Sequence, residues 1–361
     1  MNKYKILTVT TSGLVKKEGI STVILDYYSL FDREKYQLDL IAAGECRDEL
    51  VGEFESIGVR VQKLPGRKTE LARYISALMK LMKREKYDAI YIHGSSAIMS
   101  IELCIARACG CKTRVVHSHN TTCEHQKVDQ LLRPIFYRNY TTALACGTDA
   151  GKWLYGDRKF DVIKNGRDVE KYKFNAQKRA EIRQKLGLKE HTLAIGHVGT
   201  FSRQKNQSFL IDVLEKVIPQ RPDVKLFLMG EGENREPLME RVEAEGLLDS
   251  VYFTGSISNV AEMLQAMDVM VLPSIYEGVP LVAIEWQIAG LPCLISDRVS
   301  HECAYMDSVE FLPLEADLWA KKLTAFTPVA RIENDPEILQ RTKDHGYSLR
   351  ENAGKLQEYF Q

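Results

Sequence analysis

Short apolar runs alternate with stretches of helical periodicity along nearly the whole chain. The first run covers residues 4–10 and is followed by a helical stretch over about 20–31. This alternation predicts mostly parallel sheets that are covered by helices on both faces. The other predicted strands cover residues 37–42, 59–62, 89–93, 113–117, 143–146 and 160–164 in the first half, and 193–198, 225–229, 251–253, 269–272, 292–295 and 310–312 in the second.

A polar stretch over residues 167–190 separates the two series of strands and predicts a linker with a short helix. The chain is therefore predicted to form two doubly wound, Rossmann-like domains of the α/β class, residues 1–168 and residues 169–343. The tail over about 344–361 has the periodicity of one further helix.

One strand–loop–helix stretch combines several signals for ligand binding. The segment from Ser274 to Trp286 follows an apolar run, and Pro280 is suited to the first turn of a helix, where no N–H donor is needed. Glu277 and Gly278 then precede a helix N-terminus, whose free N–H groups favour a phosphate or a polarised hydroxyl. The alternative is a solvated helix start whose acidic residue only favours the helix dipole.

A second carboxylate, Glu285, follows Glu277 by eight residues. At about 1.5 Å per residue the two carboxylates lie on the order of 10 Å apart. The pairs of inverting glycosidases are roughly 6.5–9.5 Å apart and those of retaining glycosidases about 5 Å, so Glu277 and Glu285 are poorly placed to act on one bond. They are predicted to contact two separate hydroxyl-bearing parts of one extended ligand.

Two histidines lie at the end of the fifth predicted strand. Alternation places His117 and His119 on one face, at the carboxyl edge where open α/β sheets bind ligands. The alternative is a pair of structural histidines with satisfied hydrogen bonds. Four nearby side chains are of types that bind zinc, but their spacing matches no tetrahedral pattern and no metal is predicted: Cys109, Cys111, Cys123 and His125.

Glycine and basic residues mark two further loops at strand ends. Gly19 lies in the loop after the first predicted strand, although no Gly-x-Gly-x-x-Gly dinucleotide fingerprint is present. Lys205 starts the helix after the strand at 193–198, where its charge can neutralise a diphosphate. Arg203 lies in the same loop.

Composition indicates a globular protein in a reducing compartment. The 361 residues are 45% hydrophobic, and no signal peptide or membrane span is predicted, so a cytoplasmic chain is expected. The eight cysteines include no Cys-x-x-Cys pair and are expected to be free thiols. Residues 1–168 hold 27 Lys and Arg against 20 Asp and Glu, which favours an anionic partner for the first half. Its helical stretch at 70–86 has a basic face that either contacts a membrane or is only solvated.

Several of these motifs together resemble the retaining glycosyltransferases of family 4, which have the GT-B fold. The resemblance covers nearly the whole chain and is strongest over residues 196–297. It implies two Rossmann-like domains that face each other across a cleft, with the C-terminal helix crossing back to the first domain. The motifs that carry it are Glu277-x7-Glu285, Pro273-Ser274, Ala289-Gly290-Leu291-Pro292, the loop from Gly199 to Asn206, and Asn165-Gly166.

The resemblance also implies roles for individual residues. His119 would approach the donor sugar, Gly19 would lie beneath the donor phosphates, and Glu285 would hold the ribose hydroxyls. Glu277 would orient the donor sugar together with the backbone of the four residues that follow it, which are Gly278, Val279, Pro280 and Leu281.

The diphosphate loop departs from the family pattern. An arginine usually follows the glycine directly and works with the lysine, but here Thr200 follows Gly199. Thr200 and Arg203 are assigned to the donor site, and Arg203 is predicted to reach the phosphate that the missing arginine would bind. With Lys205 it would stabilise the charge that grows on the leaving diphosphate. The alternative is a weakened site.

The function expected from the resemblance is retaining, metal-independent transfer of a sugar from a nucleotide sugar to an acceptor hydroxyl. A UDP-sugar is favoured over a GDP- or ADP-sugar, with no other cofactor. The acceptor would be a carbohydrate or lipid-linked saccharide in bacterial surface polysaccharide synthesis, an anionic membrane at the inner face is a further candidate partner, and nucleic acid is not one. Two alternatives stay open: a catalytically silent nucleotide-sugar-binding subunit, and another GT-B enzyme such as a phosphorylase or an epimerase.

Overall fold

The computed structural model describes residues 3–11, 13–14, 19–44 and 46–361. The chain forms two units. The first, unit 1, consists of Met1–Gly166 and Gly346–Gln361, and the second, unit 2, of Arg167–His345. Each is a Rossmann-like unit built on a parallel sheet, as the sequence predicts.

In the described part of unit 1, seven parallel strands are ordered β3-β2-β1-β4-β5-β6-β7. The middle strands β4 and β5 are buried almost throughout, which explains why they read as continuous apolar runs. The strands are β1 (Tyr4–Thr10), β2 (Tyr36–Ala43), β3 (Arg60–Leu64), β4 (Ala89–Gly94), β5 (Thr113–Ser118), β6 (Thr142–Ala145) and β7 (Asp161–Val162).

Helices cover both faces of this sheet, in agreement with the alternation in the sequence. The apolar sides of four of these helices pack on the strands in one cluster that includes Leu78, Ile90 and Phe136. The helices of unit 1 are α1 (Gly19–Ser29), α2 (Asp48–Ser56), α3 (Leu71–Glu85), α4 (Ser100–Ala108), α5 (Gln126–Asn139), α6 (Thr148–Tyr155) and, at the end of the chain, the helix Leu349–Glu358.

In unit 2, all of whose residues are described, six parallel strands are ordered β10-β9-β8-β11-β12-β13. They are β8 (Leu193–Val198), β9 (Val224–Met229), β10 (Val251–Gly255), β11 (Val269–Leu272), β12 (Cys293–Ser296) and β13 (Val309–Leu312). The helices are α7 (Val169–Tyr172), α8 (Ala176–Lys185), α9 (Gln207–Val217), α10 (Arg235–Ala244), α11 (Val260–Ala266), α12 (Leu281–Ile288), α13 (Ala316–Thr324) and α14 (Pro336–Asp344), so the C-terminal helix Leu349–Glu358 is α15.

The tail forms one helix, as its periodicity predicts, but that helix begins at Leu349 and not at about residue 344. Helix α14 ends at Asp344 and α15 begins at Leu349. Between them Gly346 has a φ of +73°, a left-handed conformation that ends helices and that side chains disfavour. The α15 side chain of Asn352 donates to the Lys164 carbonyl oxygen at 2.8 Å, which ties this helix to unit 1.

Gly166 shows why a small residue is needed at the end of the first stretch of unit 1. A Cβ atom placed there would lie 2.8 Å from both the nitrogen and the Cα of Leu349. The backbone of α15 therefore passes too close for any side chain, which accounts for the glycine of the Asn165-Gly166 motif.

Two sequence-based expectations need small corrections. Pro280 is the N-cap of α12 and the first helical residue is Leu281, so the proline precedes the first turn. The predicted strand at 160–164 pairs only at Asp161 and Val162, because β6 beside it ends at Ala145.

All eight cysteines lie within the described residues and are free, as expected. No helix in the described parts of the chain combines the length and apolar character that crossing a membrane requires.

Candidate functional site

The strand order of unit 2 reverses between β8 and β11, whose following loops lead in opposite directions. In open α/β sheets this switch point forms the crevice where ligands bind. The two loops are joined by hydrogen bonds here: Ile275 N–H donates to Gln204 O at 2.8 Å, and Gln204 Nε2 donates to Tyr276 O at 3.0 Å. The loop after β8 and the loop after β11 therefore form one surface at the expected place.

Lys205 and Glu277 meet on this surface. Lys205 Nζ lies 2.6 Å from Glu277 Oε1, and Ser274 Oγ donates to the same oxygen at 2.5 Å. The Glu277 side chain is only 9% exposed and that of Lys205 19%, so water screens the pair weakly. The carboxylate is held in one place by these two donors, both of which contact Oε1.

The backbone on both sides of this pair is also fixed. Glu277 pairs with Val299 in an isolated parallel bridge, and its carbonyl oxygen accepts from Ser300 N–H at 3.1 Å. Beneath Lys205, a Cβ atom at Gly199 would lie 3.3 Å from Lys205 Cδ and from His197 Nε2. An alanine at position 199 would therefore require the lysine stem to shift by a few tenths of an ångström.

The segment between Glu277 and α12 leaves the helix N-terminus accessible. Gly278 is exposed, Val279 and Leu281 are partly exposed, and Pro280 is buried. The first N–H groups of a helix have no partner within it, so they are available to an anion. These four residues follow Glu277 directly, as the predicted donor-sugar site requires, but their contact with a donor stays a prediction.

Glu285 lies one turn into α12 in a buried ion pair. Its Oε1 is 2.5 Å from an Arg167 side-chain nitrogen, and both side chains are only 7% exposed. Arg167 also donates to Tyr172 Oη at 3.0 Å. Burial, and secondly the charge of Glu285, raise the pKa of the Tyr172 hydroxyl above its ordinary value. Sequence analysis did not find Arg167 as the partner of Glu285, and the predicted contact with ribose hydroxyls stays a prediction.

Arg203 does not share the contacts of Lys205. Its side chain is exposed and, among the described residues, has no ion-pair partner. Thr200 is exposed as well, and its carbonyl oxygen accepts from Gln207 Nε2 at 2.9 Å. Arg203 borders a cavity of about 530 Å³ that reaches toward α10, lined by Ser202, Arg203, Asn206, Gln207, Ser208, Asn234, Pro237, Leu238, Arg241 and Ile275.

In unit 1, the predicted histidines belong to a larger cluster. β4 and β5 pair with His93 opposite His117, and His119 follows two residues later on the same face. The three rings stack with centroids 4.5 Å to 5.5 Å apart. His93 Nδ1 is 2.8 Å from His119 Nε2, and His117 Nδ1 is 2.6 Å from Tyr91 Oη. Sequence analysis missed His93, although it ends a predicted strand in the register that this pairing needs.

Burial keeps this cluster uncharged. It lowers the pKa of His93 and of His117 well below the ordinary value, with the neighbouring histidines as a second cause. It also lowers the pKa of His119 to about 4, although part of that side chain reaches the surface. The rings are therefore neutral at pH 7, and a neutral imidazole offers one donor and one acceptor nitrogen.

Two other expectations in unit 1 have different outcomes. Gly19 is the exposed first residue of α1, where a Cβ atom would meet nothing within 4 Å, so packing within the described residues does not demand a glycine. Residues 15–18 of the preceding loop lie outside the described residues. The contact of Gly19 with donor phosphates stays a prediction. The set considered for zinc, Cys109, Cys111, Cys123 and His125, is not among the potential metal-binding groups of the described residues.

Comparisons with known proteins bear on this arrangement. Residues 178–308 match the family described as Glycosyl transferases group 1. The chain is 29% identical over 361 residues to the putative glycosyltransferase EpsF of Bacillus subtilis (strain 168), with 96% of this chain and 93% of that protein covered. The comparisons support a GT-B glycosyltransferase. This assignment agrees with the fold and enzyme class that the sequence motifs imply.

Two further similarities extend over nearly the whole chain. The UDP-Gal:alpha-D-GlcNAc-diphosphoundecaprenol alpha-1,3-galactosyltransferase of Escherichia coli is 29% identical over 390 residues, which cover 99% of this chain and 97% of that protein. The crystal structure of Anabaena Alr3699/HepE in complex with UDP-glucose superposes with a TM-score of 0.69 at 19% identity, covering 99% of this chain and 95% of that one. The latter likeness bears on the fold alone.

Proposed function

We propose that this glycosyltransferase moves a sugar from a UDP-sugar to an acceptor hydroxyl of a carbohydrate or lipid-linked saccharide, with retention of configuration, in bacterial surface polysaccharide synthesis. The observation that carries the proposal is the Lys205–Glu277 pair beside the α12 N-terminus, at the switch point of unit 2. Relatives lend support: the Escherichia coli protein is named for UDP-galactose and a diphosphoundecaprenol acceptor, and Alr3699/HepE has been crystallised with UDP and UDP-glucose.

In this proposal unit 2 stabilises the departing diphosphate. An ammonium group has three N–H donors, and Glu277 occupies one of those of Lys205. The other donors and the N–H groups at the start of α12 are available for phosphate oxygens, and they stabilise the charge that develops as the sugar–phosphate bond breaks. This cationic set takes the place of a metal ion at the diphosphate.

Glu277 would bind the donor sugar, since Lys205 and Ser274 hold its carboxylate in position. No side chain is assigned as a nucleophile. The departing phosphate would help to deprotonate the acceptor hydroxyl on the same face of the sugar, which yields retention without a covalent intermediate. His119 of unit 1 would lie beside the sugar. In this scheme the chain is a cytoplasmic enzyme.

The proposal is tested by incubating the purified chain with UDP-glucose, UDP-galactose and UDP-N-acetylglucosamine and a diphosphoundecaprenol-linked saccharide. The expected result is one glycosylated product whose new linkage has the anomeric configuration of the donor, formed without added metal. Binding of a UDP-sugar without any transfer would favour the catalytically silent subunit, which Thr200 motivates. Dependence on inorganic phosphate, or conversion of the nucleotide sugar itself, would favour a phosphorylase or an epimerase.

Arg203 provides a prediction about the diphosphate. If it replaces the arginine absent at Thr200, Arg203→Ala should reduce transfer by about tenfold or more, the scale of one charge-assisted contact. Thr200→Arg in that background should restore part of the activity. Arg350→Ala, an exposed arginine on α15, is the control. Equal rates for Arg203→Ala and wild type would assign Arg203 to the neighbouring cavity and not to the donor.

An anionic membrane is the further partner that we propose. Helix α3 exposes four basic residues, and α5 exposes apolar side chains one and two turns apart, with Val128 47%, Leu131 76% and Ile135 44% exposed. Each basic group near an anionic surface contributes about 1 kcal/mol, and apolar side chains can enter the interface. The basic residues of α3 are Arg73, Lys80, Lys83 and Arg84.

Co-sedimentation with vesicles tests this partner. The wild-type chain should sediment with anionic vesicles at 0.1 M salt and be released at 1 M, because the Debye length falls from about 10 Å to about 3 Å. Changing the four α3 residues to glutamate should abolish binding, and Leu131→Glu should weaken it if α5 inserts. A variant with the same net charge, in which Lys185, Lys189, Lys216 and Lys321 of unit 2 become glutamate, is the control. Equal sedimentation with neutral and anionic vesicles would contradict the proposal.

A further inference from the structure

The histidine cluster of unit 1 has more nitrogen atoms than its hydrogen bonds use. His93 and His117 are fully buried, and the Nε2 atom of each has no well-aligned hydrogen-bond partner among the described residues, although the backbone of Ala145 and Ile163 lies near the His117 ring. Leaving a buried polar atom unsatisfied costs roughly 1–3 kcal/mol, so two such atoms in adjacent rings call for an explanation. His93 and His117 lie side by side because β4 and β5 pair in register at these residues.

The third ring lies within reach of the same point. One nitrogen each of His93, His117 and His119 can be chosen so that all three lie within 4.8 Å of one another. Zinc–nitrogen bonds of about 2.0–2.1 Å place tetrahedral ligand atoms roughly 3.4 Å apart. Small rotations of the rings would therefore close the cluster around one ion.

The other ring nitrogens suit this arrangement. A histidine that binds a metal through Nε2 carries its proton on Nδ1 and usually donates it to an oxygen or another acceptor. His117 Nδ1 is 2.6 Å from Tyr91 Oη, which can accept that proton. His93 Nδ1 is 2.8 Å from His119 Nε2, which can accept the proton of His93. When His93 binds the metal through Nε2, His119 would therefore bind it through its other nitrogen or after a shift of its ring. Phe360 packs on the Tyr91 ring with centroids 5.4 Å apart and keeps it in place.

We propose that His93, His117 and His119 form a binding site for a divalent transition-metal ion of the Zn²⁺ or Ni²⁺ class, with water in the remaining position. Imidazole nitrogen suits these ions, whereas Mg²⁺ and Ca²⁺ prefer oxygen, so no binding of the latter two is expected. The site is distinct from the cysteine-containing set that the sequence suggested and excluded.

A bound ion would regulate the enzyme by inhibition. It would occupy His119, the residue that we assign to the donor sugar, so the ion and the donor would compete. This consequence rests on the proposed function, whereas metal binding itself does not. The sequence-based expectation of transfer without a metal is unaffected, because the ion would have no part in the reaction.

Calorimetric titration of the untagged, chelator-treated full chain with Zn²⁺ tests the binding. One ion per chain should bind, and His93→Gln or His117→Gln should weaken that binding at least tenfold. His191→Gln, which changes an exposed histidine of unit 2, should bind as wild type does. Loss of the same affinity in His191→Gln, or full binding in both cluster variants, would overturn the proposal.

A spectroscopic measurement covers the case in which a cluster variant does not fold. Co²⁺ added to the wild-type chain should give weak visible d–d absorption without the thiolate-to-metal band in the near ultraviolet, as three nitrogen ligands require. A thiolate band would place the ion on the cysteines and overturn the proposal, as would the absence of any Co²⁺ or Zn²⁺ binding at micromolar concentrations. Because neither readout uses a sugar donor, a protein that binds the ion but transfers no sugar would refute the proposed function alone.

Discussion

Glu277→Gln should reduce the rate of sugar transfer by about 10²–10³-fold, the scale of losing one preorganised electrostatic contact in an active site. Glutamine keeps the oxygen that accepts from Lys205 and Ser274, so the loop should retain its conformation. It removes the charge that is proposed to orient the donor sugar and that balances the lysine. The measurements are the steady-state rate with a UDP-sugar and the thermal unfolding of the variant.

The matched control is Glu310→Gln. It neutralises a glutamate of β13 that pairs with Lys322 of α13. That pair is also a lysine–glutamate pair in unit 2, but both side chains are about 45% exposed and lie outside the proposed site. Its rate should equal that of the wild type. A Glu277→Gln enzyme that transfers sugar as fast as this control would remove Glu277 from the reaction.

Glu285→Gln should lower the free energy of unfolding by about 3–5 kcal/mol, since it removes the charge of one partner from a buried ion pair with Arg167. The hydrogen bond from Arg167 to Tyr172 remains but cannot replace the anion. Chemical denaturation without nucleotide measures this effect. The double change Arg167→Met with Glu285→Leu should recover most of the loss, because the interior then holds no charge at this place.

The same carboxylate has a second predicted role that needs a separate measurement. If Glu285 also holds the ribose hydroxyls, folded Glu285→Gln should bind the donor more weakly by roughly 1–3 kcal/mol. Arg167→Met alone should lower stability and keep more of the donor affinity. Glu310→Gln, an exposed pair, should change neither quantity. Unaltered unfolding in Glu285→Gln would mean that the ion pair does not stabilise unit 2.

The sequence predicts the strands of unit 2 well because they are short apolar runs, whereas the switch point follows from the strand order of the folded sheet. It also assigns Lys205 and Glu277 to loops at strand ends, but it does not predict that their side chains pair, as they do at 2.6 Å. The ion pair between Arg167 and Glu285 is not predicted by such patterns. That contact depends on how a residue at the start of unit 2 packs against the middle of α12, which no local pattern encodes.

The other differences between prediction and structure also have physical reasons. His93 joins His117 through the register between two strands, and register is set by packing along their whole length. The direction of Arg203 depends on an exposed side chain in a loop, where no apolar burial constrains it. The start of α15 at Leu349 depends on the left-handed backbone of Gly346, which the helical periodicity from about residue 344 does not reveal.

The return of α15 to unit 1 has a consequence for biosynthesis. Unit 1 is discontinuous in sequence, and its final part includes Phe360, whose ring packs on Tyr91 of β4. Unit 2 is one continuous segment, so its synthesis is completed before that of unit 1. Synthesis of unit 2 takes roughly 10–40 s at about 5–20 residues per second. During that interval the surface of unit 1 that α15 contacts in the folded protein stays uncovered. Assembly of this protein on the ribosome is therefore ordered, with the first domain to begin folding being the last to finish.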